Sequence, residues 1–520
     1  MQILLMFRTL KHLRLKQIFY QLYYRINKIC IEDNNVDNQI EKLKFSPFVL
    51  KNNCLIDDNL FRFLNVGEKF ERWNGISSGM LWAYNLNYMD WLGQENLTFD
   101  QGKKWIDIFI SDLPKNKIGL DPYPIALRSI NWIKFISKYN NFISNEVRQK
   151  WNDSLYSQVK LLEKKVEYHL LGNHVLEDYY ALFIASLYFQ DGKLYDKVSR
   201  LLVRELNEEI LPDGAHYEQS PMYHCILLDR LLDCYNFSSN NFLFKGQDRL
   251  NLVLLEKSRM MLGHLSKIIY SDGSIPLLND SANGIAPLPQ QIFDYAKRLN
   301  VSFEAISLCE CGYRKFHNNK IEVVLDVGDI KASYQPGHSH ADTFNFEMRV
   351  DGKPFIVDTG ISTYNKTERR QYERSTAAHN TVTIADKDSS EVWGGFRIGK
   401  RAKVSLLVDE INYVKASHNG FGRLGKHIRS FELINGTFTI IDEVTKDCSA
   451  IARLHLAPEV VIHSLDSNAI ITNIARIAFD GASGVEVTEN ICSTEYNLFK
   501  NVKVIEISFK NKVSTTITPL

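Results

Sequence analysis

The sequence lacks any run of the roughly 20 apolar residues that a membrane-spanning helix needs. Its apolar N-terminal run, residues 3–7, is also shorter than the roughly 7–15 residues at the centre of a signal peptide, so export is unsupported. The eight cysteines include no CxxC pair, which argues against a disulfide framework and a cysteine-based metal site. We therefore expect a cytoplasmic protein, or one peripheral to the inner face of the membrane.

An excess of charge of either sign is also missing, because the net charge is only +1. No field from the whole molecule attracts polyanions, so nucleic acid is not an expected partner and local groups must hold any acidic substrate. The length of 520 residues exceeds that of a usual single domain and predicts two domains. The sequence contains no internal repeat of fixed period and no low-complexity tract.

The first 45 residues differ in character from the rest. Six basic residues interleave with apolar ones at helical spacing: Arg8, Lys11, Arg14, Lys16, Arg25 and Lys28. A basic amphipathic helix of this kind binds the surface of an anionic membrane, so peripheral membrane contact is one interpretation. An ordinary helix packed on the domain gives the same pattern and is the more common case.

Apolar residues recur at helical spacing through residues 46–312. One stripe contains Leu176, Tyr179, Tyr180, Phe183 and Leu187. Similar stripes occupy residues 123–139, 152–171, 198–210, 222–235 and 250–269. Consecutive amphipathic helices with short links predict a helical toroid or bundle.

From about residue 320 the hydrophobic period changes to two. Apolar and polar residues alternate over 343–350, and the dipeptides Asp-Gly at 351–352 and Asn-Gly at 435–436 are strong hairpin signals. Residues 320–520 therefore predict an antiparallel β-sandwich. Runs of helices followed by runs of strands indicate a multidomain α+β protein rather than an interleaved fold.

Polar residues that could carry chemistry first appear at 172–174. Asn173 and His174 open a predicted helix, where free N–H groups and the helix dipole favour a carboxylate. Asn173 could equally be a plain N-cap, a role that asparagine fills well, and both interpretations can hold together.

A second cluster lies at residues 212–224. Ser220 and Pro221 are typical of a helix start, which places Tyr223 in the first turn of the next helix. Tyr217 and Glu218 precede it and add to an unusual density of aromatic and acidic side chains. Packing and capping remain the alternative for the whole cluster.

A third cluster begins with His338 and His340, whose side chains point to one face of an extended chain. For such a pair alone a structural role is the ordinary one. Asp358 and His379 follow within about forty residues in the same predicted domain. Two imidazoles and a carboxylate are a reasonable set of zinc ligands.

Two further groups could line a channel for acidic sugars. In the sheet domain the leading candidates are Tyr364 and Arg374, because arginine forks match carboxylates or sulfates and Arg374 lies near the candidate zinc ligands. The same basic group includes Arg369, Arg370, Tyr372, Arg397, Lys400 and Arg401. A solvated charged loop is the common alternative. In the helical half, Arg128, Asn131 and Trp132 share one helix face, which suits either a cleft or a core helix with a buried arginine.

The order of these motifs resembles the heparinase II/III family, which includes alginate and oligoalginate lyases. The resemblance spans nearly the whole chain and is most specific in GHSHADTFNFEMRVDGKPFIVDTGISTYN and YERSTAAHNTVTI. The segments GNHVLEDYYALFIAS and DGAHYEQSPMYH resemble further motifs of the family. The resemblance implies an incomplete α/α toroid over 46–312, an antiparallel β-sandwich over 320–520 and an active site between them. It also implies a carbon–oxygen lyase that acts on an acidic, uronate-containing polysaccharide or oligosaccharide.

The resemblance also implies roles for individual residues. Asn173 and His174 would neutralise the uronate carboxylate, and Tyr223 and His338 would be the acid and base, with Tyr217 in reserve for the tyrosine. The positions that hold a structural zinc ion in some members correspond to His340, Asp358 and His379. Loss of the C5 proton puts negative charge on the carboxylate, so hydrogen-bond donors there lower the barrier. A base then takes the proton and an acid protonates the leaving O4, and either residue can be the base, depending on the C5 epimer.

Two other functions are compatible with the sequence. A toroid glycoside hydrolase needs two carboxylates, and Asp178, Asp213 and Glu218 are available, although the His, Tyr and Asn set fits elimination better. A non-catalytic or biosynthetic partner in surface-polysaccharide assembly would agree with the missing export signal. Formation of an unsaturated, ultraviolet-absorbing product distinguishes elimination from hydrolysis.

Overall fold

The computed structural model describes residues 2–36, 42–466 and 468–520, so residues 37–41 of the predicted N-terminal segment lie outside the described residues. Within the described ranges, no helix combines the length and the apolar composition that crossing a bilayer requires. The helices are α1 (Gln2–Leu10), α2 (Leu15–Ile26), α3 (Met80–Tyr88), α4 (Phe99–Asp112), α5 (Pro122–Lys138), α6 (Asn145–Lys164), α7 (Asn173–Tyr188), α8 (Gly192–Glu209), α9 (Pro221–Asn240), α10 (Gln247–Ile268), α11 (Pro289–Arg298) and α12 (Glu368–Glu373).

Helices α3 to α11 form two layers of an incomplete α/α toroid. The inner helices α3, α5, α7, α9 and α11 contact one another in succession, while α6, α8 and α10 pack on α5, α7 and α9 from the outside. Because the inner helices have neighbours on every side, residues 175–188 of α7 are all buried, and not only the predicted stripe. The predicted toroid is therefore confirmed.

Local signals account for where the helices begin. Helix α9 starts at Pro221, and the Ser220 side chain accepts a hydrogen bond from the Tyr223 N–H, as the sequence predicts. Helix α6 starts at Asn145, seven residues before the predicted stripe, because Ser144 caps it and its first turns are polar. Polar turns carry no hydrophobic period, so the stripe alone could not locate this start.

The strands are β1 (Leu55–Asp57), β2 (Leu60–Phe63), β3 (Val66–Lys69), β4 (Tyr313–His317), β5 (Ile321–Asp326), β6 (Phe346–Val350), β7 (Lys353–Ile356), β8 (Val382–Ile384), β9 (Val392–Trp393), β10 (Arg397–Ile398), β11 (Val404–Glu410), β12 (Tyr413–His418), β13 (His427–Ile434), β14 (Thr437–Val444), β15 (Ala450–His455), β16 (Ile462–Leu465), β17 (Ala469–Thr472), β18 (Ala475–Glu495) and β19 (Leu498–Pro519). The small sheet β1–β3 precedes the toroid and was not predicted. Strand β4 lies between the two predicted domain ranges.

Two large antiparallel sheets form most of the C-terminal region, and β9 pairs with β10 in a separate two-stranded sheet. The larger sheet has the order β11-β12-β13-β14-β19-β18-β17-β16, with β15 and β8 attached through β19, and the smaller has the order β4-β5-β6-β7. Side chains from both sheets share one core, for example Val323 and Phe346 from the smaller sheet and Phe431 and Ile440 from the larger. This packing of sheet on sheet is the predicted sandwich.

Both predicted hairpins are confirmed. Asp351 and Gly352 join β6 to β7 with φ angles of 49° and 71°. Asn435 and Gly436 join β13 to β14 with φ angles of 51° and 77°. Two successive residues in the left-handed region are what a two-residue turn between twisted strands requires, and Asn, Asp and Gly tolerate it.

Candidate active site

A cavity of about 670 Å³ lies where the helical ring, the sheet domain and the N-terminal helices meet. Its size is within the range of about 300–1,000 Å³ that is usual for small-molecule sites. Seven residues that the sequence analysis named as candidates line it: Asn173, His174, Tyr223, His338, Tyr364, Arg397 and Arg401.

Asn173 is the first residue of α7, and Glu218 holds it in place. The Glu218 carboxylate accepts hydrogen bonds from the Asn173 backbone N–H at 3.1 Å and from its side-chain Nδ2 at 2.8 Å. This carboxylate occupies the position at a helix N-terminus that favours an anion. The N-cap is Gly172 at a φ of 65°, where a Cβ would clash with Glu218. Asn173 therefore lines the cavity and is not the helix cap.

His174 follows in the first turn of α7. Its Nδ1 lies 3.0 Å from Oε2 of Glu167, and its ring centre lies 4.9 Å from that of Tyr123. Burial favours the neutral imidazole, but the Glu167 carboxylate outweighs this effect and raises the pKa of His174. His174 therefore takes up a proton more readily than an ordinary histidine, and its partly exposed side chain presents that charge to the cavity.

His338 is held between two polar partners. Its Nδ1 lies 2.9 Å from Oδ2 of Asp280, and its Nε2 lies 3.3 Å from the side-chain Nδ2 of Asn173. The carboxylate can only accept at Nδ1 and the amide N–H can only donate to Nε2. These partners select the tautomer with the proton on Nδ1 and the lone pair on Nε2.

Asp280 is a fully buried residue that the sequence analysis did not predict. Its carboxylate accepts hydrogen bonds from Arg370 and also contacts Nε2 of His340 at 2.8 Å. Burial alone would raise the pKa of Asp280, but Arg370 and the two imidazoles outweigh burial and hold it well below the usual range. Asp280 is therefore a charged partner for His338 at neutral pH.

Tyr223 lies beside His338 in the first turn of α9. The two ring centres are 3.9 Å apart, and the Tyr223 hydroxyl lies 3.4 Å from that of Tyr364. Burial raises the pKa of Tyr223 above its ordinary value, so the phenol keeps its proton at neutral pH. Asn173, Tyr223 and His338, which come from two helices and a loop of the sheet domain, thus meet at one cavity wall.

Arg128, Asn131 and Trp132 do not reach the cavity. Arg128 and Trp132 are completely buried and Asn131 is nearly so. Arg128 donates only to oxygen atoms of neighbouring ring segments, and Asn131 donates to the carbonyl of Tyr88. The prediction that these three residues bind substrate is therefore wrong. The helix face that these residues share packs against neighbouring segments of the toroid and does not border a cleft.

Tyr217, Glu218 and Arg374 are also buried and lie behind the cavity wall rather than on it. The Arg374 guanidinium donates to the carbonyl of Ser339 at 2.9 Å, so it supports the loop that carries His338. Burial lowers the pKa of Arg374 to about 9. The prediction that these three residues contact substrate directly is therefore corrected. None of their side chains faces the cavity, and they support its wall from behind.

The predicted zinc ligands lie near one another. The ring centres of His340 and His379 are 5.3 Å apart, and Nδ1 of His379 lies 2.7 Å from Oδ2 of Asp358. Each imidazole keeps its other nitrogen buried and without a hydrogen-bond partner. Burial lowers the pKa of His340 to about 3, so this ring is neutral and can donate a lone pair. The donor chemistry fits a zinc ion, although both oxygens of Asp358 already accept hydrogen bonds.

A different group of described residues brings three donor atoms within 4.8 Å of one another: Asp213, His264 and Cys311. All three residues are buried. The Asp213 carboxylate already accepts the backbone N–H of Cys311 at 2.9 Å, so hydrogen bonding alone accounts for its position. Sequence spacing did not indicate this group, because its members are far apart in the chain.

Asp280 and Arg370 are the residues around His338 for which sequence signals were weakest. Asp280 follows Asn279 in a loop with no periodicity. Arg370 belongs to a basic cluster in which Arg374 was preferred for its nearness to His379. The helix α12 places Arg370, and not Arg374, on the Asp280 carboxylate.

An α/α toroid joined to an antiparallel β-sandwich, with a cavity between them, defines a class of two-domain proteins. The family patterns described as Heparinase II/III N-terminus and Heparinase II/III-like, C-terminal match residues 126–299 and 301–518. The chain therefore belongs to the heparinase II/III family.

Individual relatives agree with this assignment. The chain is 22% identical to a heparin-sulfate lyase of Bacteroides stercoris over 384 residues, which cover 66% of this chain and 55% of that protein. It is 25% identical to a heparin-sulfate lyase of Pedobacter heparinus over 245 residues, or 42% of this chain and 36% of that protein. The chain thus spans about half or less of the curated relatives that it matches. The crystal structure of heparinase III superposes with a TM-score of 0.69 at 15% identity, over 97% of this chain and 89% of that one, which shows the fold.

Proposed function

We propose that this protein is a polysaccharide lyase that cleaves a uronate-containing acidic glycan by β-elimination. The observation that carries the proposal is the meeting of Asn173, Tyr223 and His338 at one cavity wall, with His338 oriented by Asp280. Two curated relatives are heparin-sulfate lyases, which supports an acidic polysaccharide as the substrate class.

The substrate carboxylate binds at the start of α7 in this proposal. His174 supplies a protonated imidazole and Asn173 an amide N–H, and both stabilise the charge that develops when the C5 proton leaves. In the free protein the second N–H of Asn173 points to Nε2 of His338, at a long distance of 3.3 Å. A bound carboxylate that takes this N–H would free the His338 lone pair for catalysis.

His338 acts as the base and Tyr223 as the acid. The Nε2 lone pair of His338 takes the C5 proton, the C4–O4 bond breaks and a C4=C5 double bond forms. The Tyr223 hydroxyl gives its proton to the leaving O4. Two observations favour this division of roles. Burial raises the pKa of Tyr223, so the phenol keeps a proton to give, and the Asp280 carboxylate holds the His338 N–H on the Nδ1 side, which leaves the lone pair on Nε2.

We also propose a structural zinc ion held by His340, Asp358 and His379. The unpartnered nitrogens of the two imidazoles support it. Such an ion would fix the loop that carries both histidines of the HxH pair. The elimination itself needs only the side chains described above.

The two alternative functions have less support. A hydrolase would need exposed carboxylates, but Asp178, Asp213 and Glu218 are all buried and bonded to backbone or amide groups. A non-catalytic assembly partner would not need an aspartate–histidine pair beside a tyrosine at the cavity wall.

The decisive experiment is a screen of uronate polymers, including heparan sulfate and bacterial capsular glycans, for new ultraviolet absorbance. Wild-type protein should produce an absorbing product from at least one polymer, and Tyr223→Phe and His338→Ala should not. If all three proteins degrade a glycan equally, or if the product is saturated, the proposal is wrong.

We further propose that the outer face of α2 contacts an anionic membrane. Leu15, Phe19, Leu22 and Ile26 form one stripe that is 55–85% exposed, and residues 2–31 contain six lysines and arginines without an acidic residue. The protein should sediment with vesicles that contain phosphatidylserine and not with neutral ones, and Phe19→Ser with Leu22→Ser should weaken this binding. Equal recovery with both vesicle types would refute the contact. Cellular location stays a prediction.

A further inference from the structure

The N-terminal helices α1 and α2, here called the N-terminal hairpin, bridge the two domains. From α1, Thr9 accepts a hydrogen bond from Nε1 of Trp393 at 3.0 Å, and Arg8 forms an ion pair with Glu391. Trp393 and Glu391 belong to the sheet domain. The α1 end of the hairpin is therefore attached to that domain through side chains and not through the adjoining chain.

The α2 end of the hairpin is attached to both domains at once. Gln17 is buried, and its Nε2 donates to the carbonyl of Leu170 in the helical ring at 3.0 Å and to that of Tyr334 at 3.3 Å. The guanidinium of Arg14 lies 3.7 Å from the centre of the Tyr334 ring and pairs with Glu208 on α8. A buried amide with two carbonyl partners holds a fixed position, because losing either bond leaves a polar group unsatisfied.

The inner face of the hairpin forms part of the cavity wall. The residues that it contributes include Met6, Leu10, Leu13, Gln17 and Gln21. His338 and Tyr223 line the same cavity. Because the hairpin contacts both domains and lines the space between them, it closes the cleft on that side. A glycan chain that reaches the catalytic residues cannot continue through the hairpin.

Cationic and polar groups gather at this closed end. Arg397, Arg401 and His12 all line the cavity. The Nε of Arg401 and the Nε2 of His12 are buried and have no hydrogen-bond partner. Burial and the nearby cations Arg401 and Lys11 lower the pKa of His12 to about 4, so its ring is neutral. The unpartnered Nε–H of Arg401, with Arg397 on the same cavity lining, suits a sugar that carries a carboxylate or sulfate.

We propose that the N-terminal hairpin, together with Arg397 and Arg401, forms a terminal subsite for an acidic sugar, so that the protein releases short products from one end of a glycan chain. This inference rests on the lyase function proposed above. A cavity of about 670 Å³ that the hairpin bounds at one end holds a short oligosaccharide and not a polymer that passes through.

The test follows the size of a glycan polymer during its degradation by the full-length wild-type protein. The polymer is the one found active in the screen, with heparan sulfate as the first choice. Release from an end gives short unsaturated products from the earliest time, while the mean length of the polymer falls slowly. A rapid collapse of polymer length, with products of mixed size, would overturn the proposal.

Two variants test separately whether Arg401 binds the terminal sugar and whether the hairpin blocks the cleft. Arg401→Gln should raise KM roughly tenfold while kcat changes little, because a charge-assisted contact to the bound sugar is lost. Thr9→Val with Gln17→Ala should loosen the hairpin and shift the products towards longer lengths. Arg25→Gln, on the exposed outer face of α2, is the matched control and should behave as wild type in solution.

Binding measurements keep this inference separate from the lyase function. In the inactive variant Tyr223→Phe, uronate oligosaccharides of increasing length should stop gaining affinity once the cavity is filled, and Arg401→Gln should weaken all of them. If affinity keeps rising with length, or if Arg401→Gln binds as tightly as its parent, the terminal subsite is wrong even when lyase activity is present. If no glycan yields an unsaturated product while length-limited binding persists, only the lyase function fails.

Discussion

The imidazole of His338 places its Nδ1 2.9 Å from a carboxylate oxygen of Asp280, which is buried and charged. This contact decides which nitrogen of His338 can accept a proton, because a carboxylate holds the N–H on its own side of the ring. Arg370 on the same carboxylate keeps Asp280 ionised in a place where burial would otherwise neutralise it. A buried charge pair directly behind the cavity wall thus sets the tautomer of His338, the proposed base.

Replacing Asp280 by asparagine tests this control. The Asn amide can turn its N–H to Nδ1 of His338 and so select the tautomer with the proton on Nε2, which cannot act as a base. We expect kcat to fall about 100- to 10,000-fold, the usual contribution of a general base. The rate of ultraviolet-absorbing product formation measures it, with circular dichroism as the check on folding. Asp196→Asn, on the exposed face of α8, should keep full activity. If kcat is unchanged in the Asp280 variant, Asp280 does not control the tautomer of the proposed base.

Tyr223→Phe removes only a hydroxyl group. That hydroxyl has one protein contact, at 3.4 Å, so the stability of the fold should change by less than about 1 kcal/mol. Product formation should fall at least about 100-fold, because the proposed proton donor for the leaving oxygen is lost. Tyr235→Phe on the same helix is the matched control. If Tyr223→Phe keeps its activity, a group other than Tyr223 is the acid.

Local signals in the sequence were sufficient for several parts of this site. Ser220 and Pro221 located the start of α9 and hence Tyr223, because capping depends on neighbouring residues only. The Asn-Gly and Asp-Gly turns located two hairpins for the same reason. The period change near residue 320 separated ring from sandwich, because burial on one face of a strand or helix leaves its period in the chain.

Contacts between distant segments left no such signal. Asp280 meets His338 across 58 residues and Arg370 across 90. Arg128 illustrates the opposite error, since its helical spacing is the same whether its face borders a cleft or the inside of the ring. Only the packing of the folded chain distinguishes a cleft face from a buried face, and the fully buried side chain of Arg128 shows that its face is buried.

The pH dependence of substrate binding should follow His174. Glu167 raises the pKa of His174, so the imidazolium is present below that raised value and is lost as the pH increases through it. KM for an acidic glycan should therefore increase on the alkaline side. In Glu167→Gln the burial effect dominates, the pKa falls and the increase in KM should move to lower pH. Glu163→Gln, which pairs with Lys160 and Lys197 instead, should leave the profile unchanged. A Glu167→Gln profile identical to wild type would exclude His174 as the carboxylate ligand.

Gly172→Ala should destabilise the protein and disturb Asn173. The residue has a φ of 65° and a ψ of −149°, a region open almost only to glycine, and its Cβ would clash with Glu218. Backbone strain of this kind costs about 1–3 kcal/mol in the free energy of unfolding. Gly246→Ala has a φ of 78° and a ψ of 6°, in the left-handed helical region, and open space around the new Cβ, so it measures a milder backbone strain without the clash. Denaturant unfolding should rank Gly172→Ala as the more damaging change. Equal losses would mean that Glu218 moves aside freely.

Metal analysis of the purified protein tests the proposed zinc site. We expect about one zinc ion per chain, bound through the free nitrogens of His340 and His379. His379→Ala should remove the ion, because one of the two imidazole ligands is lost and the remaining ligands are too few for a stable site. It should also lower the melting temperature, since a structural metal contributes its binding free energy to folding.

His264→Ala is the control that locates the ion, because Asp213, His264 and Cys311 could also hold one. If His379→Ala keeps its zinc and His264→Ala loses it, the ion belongs to this second group. The pair of variants is informative because neither histidine lines the cavity, so a change in metal content would not arise from loss of substrate contacts. If His379→Ala, and not His264→Ala, loses zinc and also forms product more slowly, the metal contributes to catalysis by positioning His340 and its neighbours. His340 contacts Asp280, and Asp280 holds the His338 tautomer.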